Sequence, residues 1–303
     1  MFRVSRAHQL TLFLVLAVFF LGSCSPVPPT SAVSVSPTWT SLPAVTQTIE
    51  PTSSPTAVLT AAPAQLGVGS IITSEKDGMT PVYVPAGEFS MGNDSGWDEE
   101  KPIHTVELDD FWIDQTEVTN AMYAKCVQED SCAQPSNTAH FDDSNYANHP
   151  VVYVSWHDAN QYCAWAGRRL PTEAEWEKAA RGTDKRVFPW GDTIDCSLAN
   201  YWGKENGCVD DTTPVGIYPD GVSPYGVLDM TGNALEWVST LFARYPYDAS
   251  DGREDLDASG ARVLRGGSWN VTAEFTRGSR RDWYLPGIRR NYAGFRCAMS
   301  VGP

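Results

Sequence analysis

The residues best suited to chemistry lie in one stretch, Asp229-Met-Thr-Gly-Asn-Ala-Leu-Glu-Trp237. Asp229 and Glu236 place carboxylates at its two ends, and Gly232 and Ala234 are small enough to turn backbone carbonyls inward. Ca²⁺ takes about six to eight such oxygens in a flexible shell, so the stretch reads as a calcium loop. Short acidic Gly/Asn turns are common, and the same residues also read as a polar turn ahead of a Trp-anchored strand. His104, His140, His149 and His157 are the residues from which a mononuclear iron site would be drawn. His104 and His149 stand near Pro and Val, where hydrogen-bonded core histidines are the better expectation, and no iron site is expected.

The elements that must position the loop are short. Pro81-Val-Tyr-Val-Pro85 and Glu88-Phe-Ser-Met91 read as strands around Ala86-Gly87, continued by His104-Thr-Val-Glu-Leu108 and Phe111-Trp-Ile113. Thr119 caps a helix from Asn120 to about Gln128. His149-Pro-Val-Val-Tyr-Val-Ser-Trp156 reads as a buried strand running into the N-cap Ser155, with Asp158 three residues on. The helix after it carries Ala159, Tyr162, Cys163 and Ala166 at amphipathic spacing and stops at Gly167. Thr172 and Glu175 form the capping box of another helix, which Gly182 ends. Trp165 and Trp176 ride on these helices, so both must pack against the β material on either side. Beyond Arg181 regular signals thin out, and Trp190, Trp202, Trp237, Trp269 and Trp283 predict a packed but loop-rich body.

The first quarter of the 303 residues differs in kind. Arg3, Arg6 and His8 precede an apolar run from Leu10 to Leu21, the pattern of a secretory signal. Leu21-Gly22-Ser23-Cys24 resembles the bacterial lipobox, which makes residues 1–24 a lipoprotein signal peptide and Cys24 the lipidated residue. With Ser25 next, the anchor points to the bacterial cell envelope, at the outer membrane or the cell surface. Residues 25–78 are dominated by Ser, Thr, Pro, Ala and Val and read as a disordered tether, roughly 40 Å in mean span. Residues 1–78 hold equal numbers of basic and acidic side chains, so the net charge of −15 belongs to a domain spanning 79–303. A surface that acidic excludes nucleic acid as a partner and suits cations.

Several segments of the domain occur in a specific order: Gly87-Glu-Phe-Ser-Met-Gly92, Glu117-Val-Thr-Asn120, His149-Pro-Val-Val, Ala164-Trp-Ala-Gly-Arg-Arg-Leu-Pro-Thr-Glu-Ala-Glu-Trp-Glu177, Pro189-Trp-Gly191, Gly226 to Trp237, Arg265-Gly-Gly-Ser-Trp269 and Gly294-Phe-Arg-Cys297. In this order the chain from about Thr80 to Val301 resembles the formylglycine-generating-enzyme, or sulfatase-modifying-factor, family. The resemblance implies a compact, loop-rich α+β fold related to C-type lectin domains, with short strands, a few short helices and structural calcium. It carries over one calcium site at Asp229, Gly232, Ala234 and Glu236, and a second at Asn200 and the Tyr201 carbonyl, completed near Asn206. It also implies a disulfide between Cys163 and Cys297; Cys126–Cys132 and Cys196–Cys208 close short loops and are expected to pair likewise in an oxidising compartment.

Family enzymes hold copper(I) between two cysteines that follow the Gly-Gly-Ser-Trp motif and convert a sulfatase Cys to formylglycine. Here those positions are Val271 and Thr276, with Leu235 and Tyr292 replacing a usual Trp and Asn nearby. A Val cannot ligate copper, so copper is not expected. Arg168, Arg265, Arg277, Arg280, Arg281, Arg289 and Arg290 mostly pair with acids, while Ser268, Trp269, Arg277 and Arg281 are expected to line the relict cleft. The chain therefore reads as a membrane-tethered, calcium-stabilised binding module for a peptide, glycan or envelope protein. The alternative is an oxidoreductase of the same family, using another metal or cysteine arrangement on a protein or thiol substrate.

Overall fold

A computed structural model describes residues 66–203 and 207–302. The lipobox with Cys24, most of the tether and Asn206 lie outside the described residues. The architecture is α+β, with nine short strands and three α-helices among the described residues. In chain order these are β1 (Pro81–Val84), β2 (Gly87–Met91), β3 (His104–Leu108), β4 (Phe111–Asp114), α1 (Asn120–Gln128), α2 (Trp156–Trp165), α3 (Glu173–Arg181), β5 (Leu235–Leu241), β6 (Arg262–Arg265), β7 (Arg281–Tyr284), β8 (Ala293–Phe295) and β9 (Ala298–Ser300).

Strand β5 organises the body. It lies inside a four-stranded sheet of order β7-β6-β5-β8, antiparallel to β6 and parallel to β8, and it begins directly after the Asp229–Ala234 loop. Strands β1, β4 and β9 form a second sheet, and β2 pairs with β3. The helices pack on these strands as their Trp residues require. Trp156 at the start of α2 donates its Nε1 hydrogen to the Val238 carbonyl at 2.9 Å, and Trp176 of α3 reaches Glu236 at 2.7 Å.

Local chemistry sets the helix ends as expected. Thr119 accepts from Met122 N, and Ser155/Asp158 and Thr172/Glu175 both close reciprocal capping boxes. Gly182 stops α3 at φ 65°, in the half of backbone space that favours glycine. The three expected disulfides are all present, joining Cys126 to Cys132, Cys163 to Cys297 and Cys196 to Cys208.

Two expectations need correction. Residues 149–156 are not a strand, although Pro150, Val151, Val152 and Val154 are buried. Tyr153 takes φ 60°, and the amides of Val151 and Tyr153 go to different partners, the Val118 and Arg290 carbonyls, so no ladder forms. The domain also begins before residue 79. Ile71 bridges to Val82, and Asp77 is buried, bound by Arg168 and the Tyr162 hydroxyl. The acid in Glu75-Lys76-Asp77 is thus a counter-ion of the core rather than the end of a tether.

Candidate functional site

The stretch from Asp229 to Ala234 forms a tightly wound loop. Asp229, Gly232 and Asn233 have φ of 57°, 75° and 55°, and two of these are the non-glycine types that best tolerate left-handed backbone. A Cβ on Gly232 would stand 2.1 Å from the Asn200 carbonyl oxygen, so only glycine fits there. The loop is held by Gly232 N donating to the Gly266 carbonyl at 2.8 Å and Asn233 N donating to the Asn200 carbonyl at 2.7 Å.

Beneath it sits a set of buried oxygens. Asn233 donates from Nδ2 to Glu117 Oε1 at 3.0 Å and accepts on Oδ1 from Thr213 N at 2.8 Å. Asp229 Oδ2 accepts from Gly216 N at 2.6 Å. Burial first, opposed by the Gly216 hydrogen bond and reinforced by Glu236, pushes Asp229 up to about 6. Burial and then the charge of Asp229 hold Glu117 well above the usual carboxylate range. Glu117 Oε2, Asn200 Oδ1 and Thr231 Oγ1 are buried without a hydrogen-bond partner among the described residues. Crowded carboxylates with orphaned oxygens are what a bound hard cation would relieve.

The residues present therefore fit calcium, with a changed emphasis. Glu236 is fully buried, and both of its oxygens are held by Arg296 at 2.7 Å, with Trp176 Nε1 on one of them. Asp229 and Glu117 are the carboxylates with spare capacity. No three Asp, Glu, His or Cys side chains converge to hold a metal among the described residues, so an ion here would rely on carbonyls and amides. Of the expected second site, only Asn200 and Tyr201 lie among the described residues. Asn200 packs against the first loop, its Nδ2 on the Asp211 carbonyl at 2.8 Å, while the Tyr201 carbonyl accepts from Cys208 N at 2.9 Å.

Val271 and Thr276 are the residues expected at the family's two cysteine positions. Val271 lines a cavity of about 250 Å³ with Leu235, Ser268, Phe275, Asp282, Tyr284 and Tyr292 among its neighbours. Thr276 is fully buried and donates from Oγ1 to the Ala273 carbonyl at 3.0 Å. Ser268 donates to Asn270 Oδ1 at 2.8 Å, and Trp269 N donates to the Asn233 carbonyl at 3.1 Å, which ties the cleft to the loop. All six cysteines among the described residues are in disulfides, so the cleft holds no thiol and does not fit copper.

Two arginines expected in the cleft are elsewhere. Arg281 is fully buried with its guanidinium on both oxygens of Glu173 at 2.6 and 2.8 Å, and Arg265 joins the same network through Glu173 and Glu177. Arg277 grips both oxygens of Glu100, at 2.7 and 2.8 Å. Burying such carboxylates without a counter-ion is costly, and these arginines serve them rather than a ligand. Two of the four histidines, His104 and His149, have hydrogen-bond partners among the described residues. His104 spans the Pro102 carbonyl and Tyr247 N, His149 contacts Thr212 Oγ1, and His140 lies 3.2 Å from Asp211.

Sequence reasoning missed Glu117, Asn233, Asp282 and Tyr284. Glu117 stands in a segment already singled out, Glu117-Val-Thr-Asn120. Asp282 and Tyr284 alternate on β7, and the period of two was available as a sign that they share a face.

Residues 69–301 match a family model described as the sulfatase-modifying factor enzyme 1-like domain. The formylglycine-generating enzyme of Streptomyces coelicolor is 35% identical over 281 residues, covering 72% of this chain and 88% of that protein. The serine/threonine-protein kinase pkn1 of Chlamydia caviae is 33% identical over 262 residues, covering 77% of this chain and 41% of the kinase. The chain thus spans about two fifths of that kinase's length. Among solved structures, PvdO from Pseudomonas aeruginosa matches with a TM-score of 0.67 at 27% identity, covering 78% of this chain and all of the other.

Proposed function

The chain belongs to the sulfatase-modifying factor enzyme 1-like family, and we propose that it serves there as a binding module in which the family's copper chemistry has been lost. The observation that carries this reading is the cleft itself. Val271 and Thr276 occupy the thiol positions, and every cysteine among the described residues is tied up in a disulfide. Copper(I) selects soft thiolate ligands, and Val, Thr, Ser and Tyr offer none. The scaffold remains to present a cavity of about 250 Å³ lined by aromatic, hydroxyl and carboxylate groups, suited to a peptide or glycan on an envelope partner. Calcium in the Asp229 loop is structural in this reading, pinning irregular backbone that no strand ladder holds. The lipobox at Cys24 supports anchoring in the bacterial envelope, outside the cytoplasm.

The alternative, an oxidoreductase acting on a protein or thiol, rests on the similarity to the Streptomyces enzyme. One experiment separates the two. A sulfatase-type Cys-x-Pro-x-Arg peptide is incubated with the full chain, copper, calcium, O₂ and reductant, and its mass is followed. An unchanged peptide, beside an active cysteine-bearing enzyme as control, is the expected result. Conversion to formylglycine would overturn the binding-module reading.

A further inference from the structure

The geometry points to a cationic side chain, of lysine or arginine type, as the group that the cleft beside Val271 receives. This rests on the binding-module reading and adds to it the chemical class of the ligand. Asp282 supplies the charge. Its side chain is 30% exposed and Asp282 lines the cavity; its Oδ1 accepts from Arg280 Nη2 at 2.9 Å, while Oδ2 has no hydrogen-bond partner among the described residues.

Arg280 does not neutralise this carboxylate by itself, because it is shared. The same guanidinium also binds Glu99, and it stacks over the Trp97 ring at 3.8 Å. Glu99, Arg280 and Asp282 together therefore carry one surplus negative charge. The adjacent Arg277 is consumed by Glu100. No Lys or Arg is among the lining residues, and the Arg290 guanidinium lies exposed at 6.0 Å from the Tyr284 ring centroid, the outer limit of a cation–π contact.

The walls suit the remainder of such a side chain. Leu235, Val271 and Phe275 offer apolar surface for a methylene stem, and Tyr284 and Tyr292, their hydroxyls 3.3 Å apart, add aromatic groups of the kind that attract a cation. A volume of about 250 Å³ holds one long side chain rather than an elaborated small molecule, for which pockets run to roughly 300–1,000 Å³. A carboxylate in a half-enclosed site forms a stronger, charge-assisted bond than one in open water. A neutral sugar would leave the surplus charge unmatched.

The test compares ligands of one shape and different charge on the unmodified full chain. Nα-acetyl-lysine amide, Nα-acetyl-arginine amide, Nα-acetyl-norleucine amide and N-acetylglucosamine are titrated by calorimetry, at low and at high salt. The expected result is that a cationic probe binds at least tenfold more tightly than norleucine amide, that salt narrows the gap, and that Asp282→Asn closes it with the melting temperature retained. The contrast on the unmodified chain stands even where the variant fails to fold. Equal binding of lysine, arginine and norleucine probes, tighter binding of the sugar, or no binding by any probe overturns the assignment. None of these outcomes touches the binding-module reading, which fails separately if the same preparation converts the sulfatase-type peptide to formylglycine.

Discussion

Arg296 closes on Glu236 with two nitrogens, Nε to one carboxylate oxygen and Nη2 to the other, both at 2.7 Å and both side chains fully buried. The remaining guanidinium hydrogens go to the carbonyls of Asp114, Gln115 and Leu228. One ion pair thus ties the end of the Asp229 loop to β4 and to the strand leading into Cys297. Removing one partner of such a pair leaves a buried charge without compensation. Arg296→Met should cost about 3–5 kcal/mol in urea unfolding, and the double change Arg296→Met with Glu236→Leu should recover much of it. A loss below about 1 kcal/mol would mean that water reaches Glu236 and the pair is not structural.

Asp77 and Asp114 compete for a single cation, Arg168. Burial alone would raise Asp77, but the Arg168 charge and hydrogen bonds including Tyr162 and Met79 bring it below its ordinary value. Asp114, completely enclosed and second in line for Arg168, is pushed up to about 7, chiefly by burial. A raised carboxyl stabilises the fold below its unfolded value and loses that contribution as pH rises through its folded value. Stability should therefore decline between about pH 4 and 7, by on the order of 1–4 kcal/mol, and Asp114→Asn should flatten the decline. Urea midpoints across this range check it, and a rise in stability over the same interval would contradict the assignment.

Calcium should stabilise the domain through the Asp229 loop. At a hundredfold excess over its dissociation constant a ligand that binds only the native state adds about 2.7 kcal/mol, which for a domain of this size is about 5–10 °C in melting temperature. Glu117→Gln and Asp229→Asn should each remove most of that increment. Identical melting curves in calcium and in chelator would rule the ion out.

Placing two thiols at these positions tests whether Val271 and Thr276 are what keeps the cleft from fitting copper. The double variant Val271→Cys, Thr276→Cys should take up one copper(I) ion, seen by thiolate-to-metal absorption, where the natural chain takes up none. Uptake by the natural chain would expose a ligand set outside the described residues.

The Cys163–Cys297 bond joins α2 to the strand region after β8 and closes a separation of 134 residues. Replacing both cysteines by Ala should lower stability by about 4–5 kcal/mol in the chain-entropy view, measured by denaturant unfolding without reductant. A cost well under 2 kcal/mol would indicate that the unfolded chain stays compact around this region.

What could be read without the structure was local or ordinal. Thr119, Ser155 and Thr172 cap helices through groups three residues away, and hydrogen bonds of that kind need no knowledge of the fold. The order of short motifs identified the family, and the expectation of an exported, oxidising setting made pairing of the six cysteines the natural reading, which the three disulfides bear out. That Val271 and Thr276, at the positions expected to carry the family's thiols, hold none was plain from residue type alone.

Packing across the chain decided the rest. Arg281 left the cleft because Glu173, 108 residues away, is buried and needs a partner; Asp77 left the tether because Arg168 needs one. Glu117 joined the Asp229 loop through Asn233, 116 residues away, and Asp282 joined the cleft only because β7 lies against β6 in one register. A charged side chain by itself prefers water, and that preference is what a sequence displays. Burying it reverses the preference whenever another buried charge would otherwise go unpaired, and only the tertiary structure brings the two together.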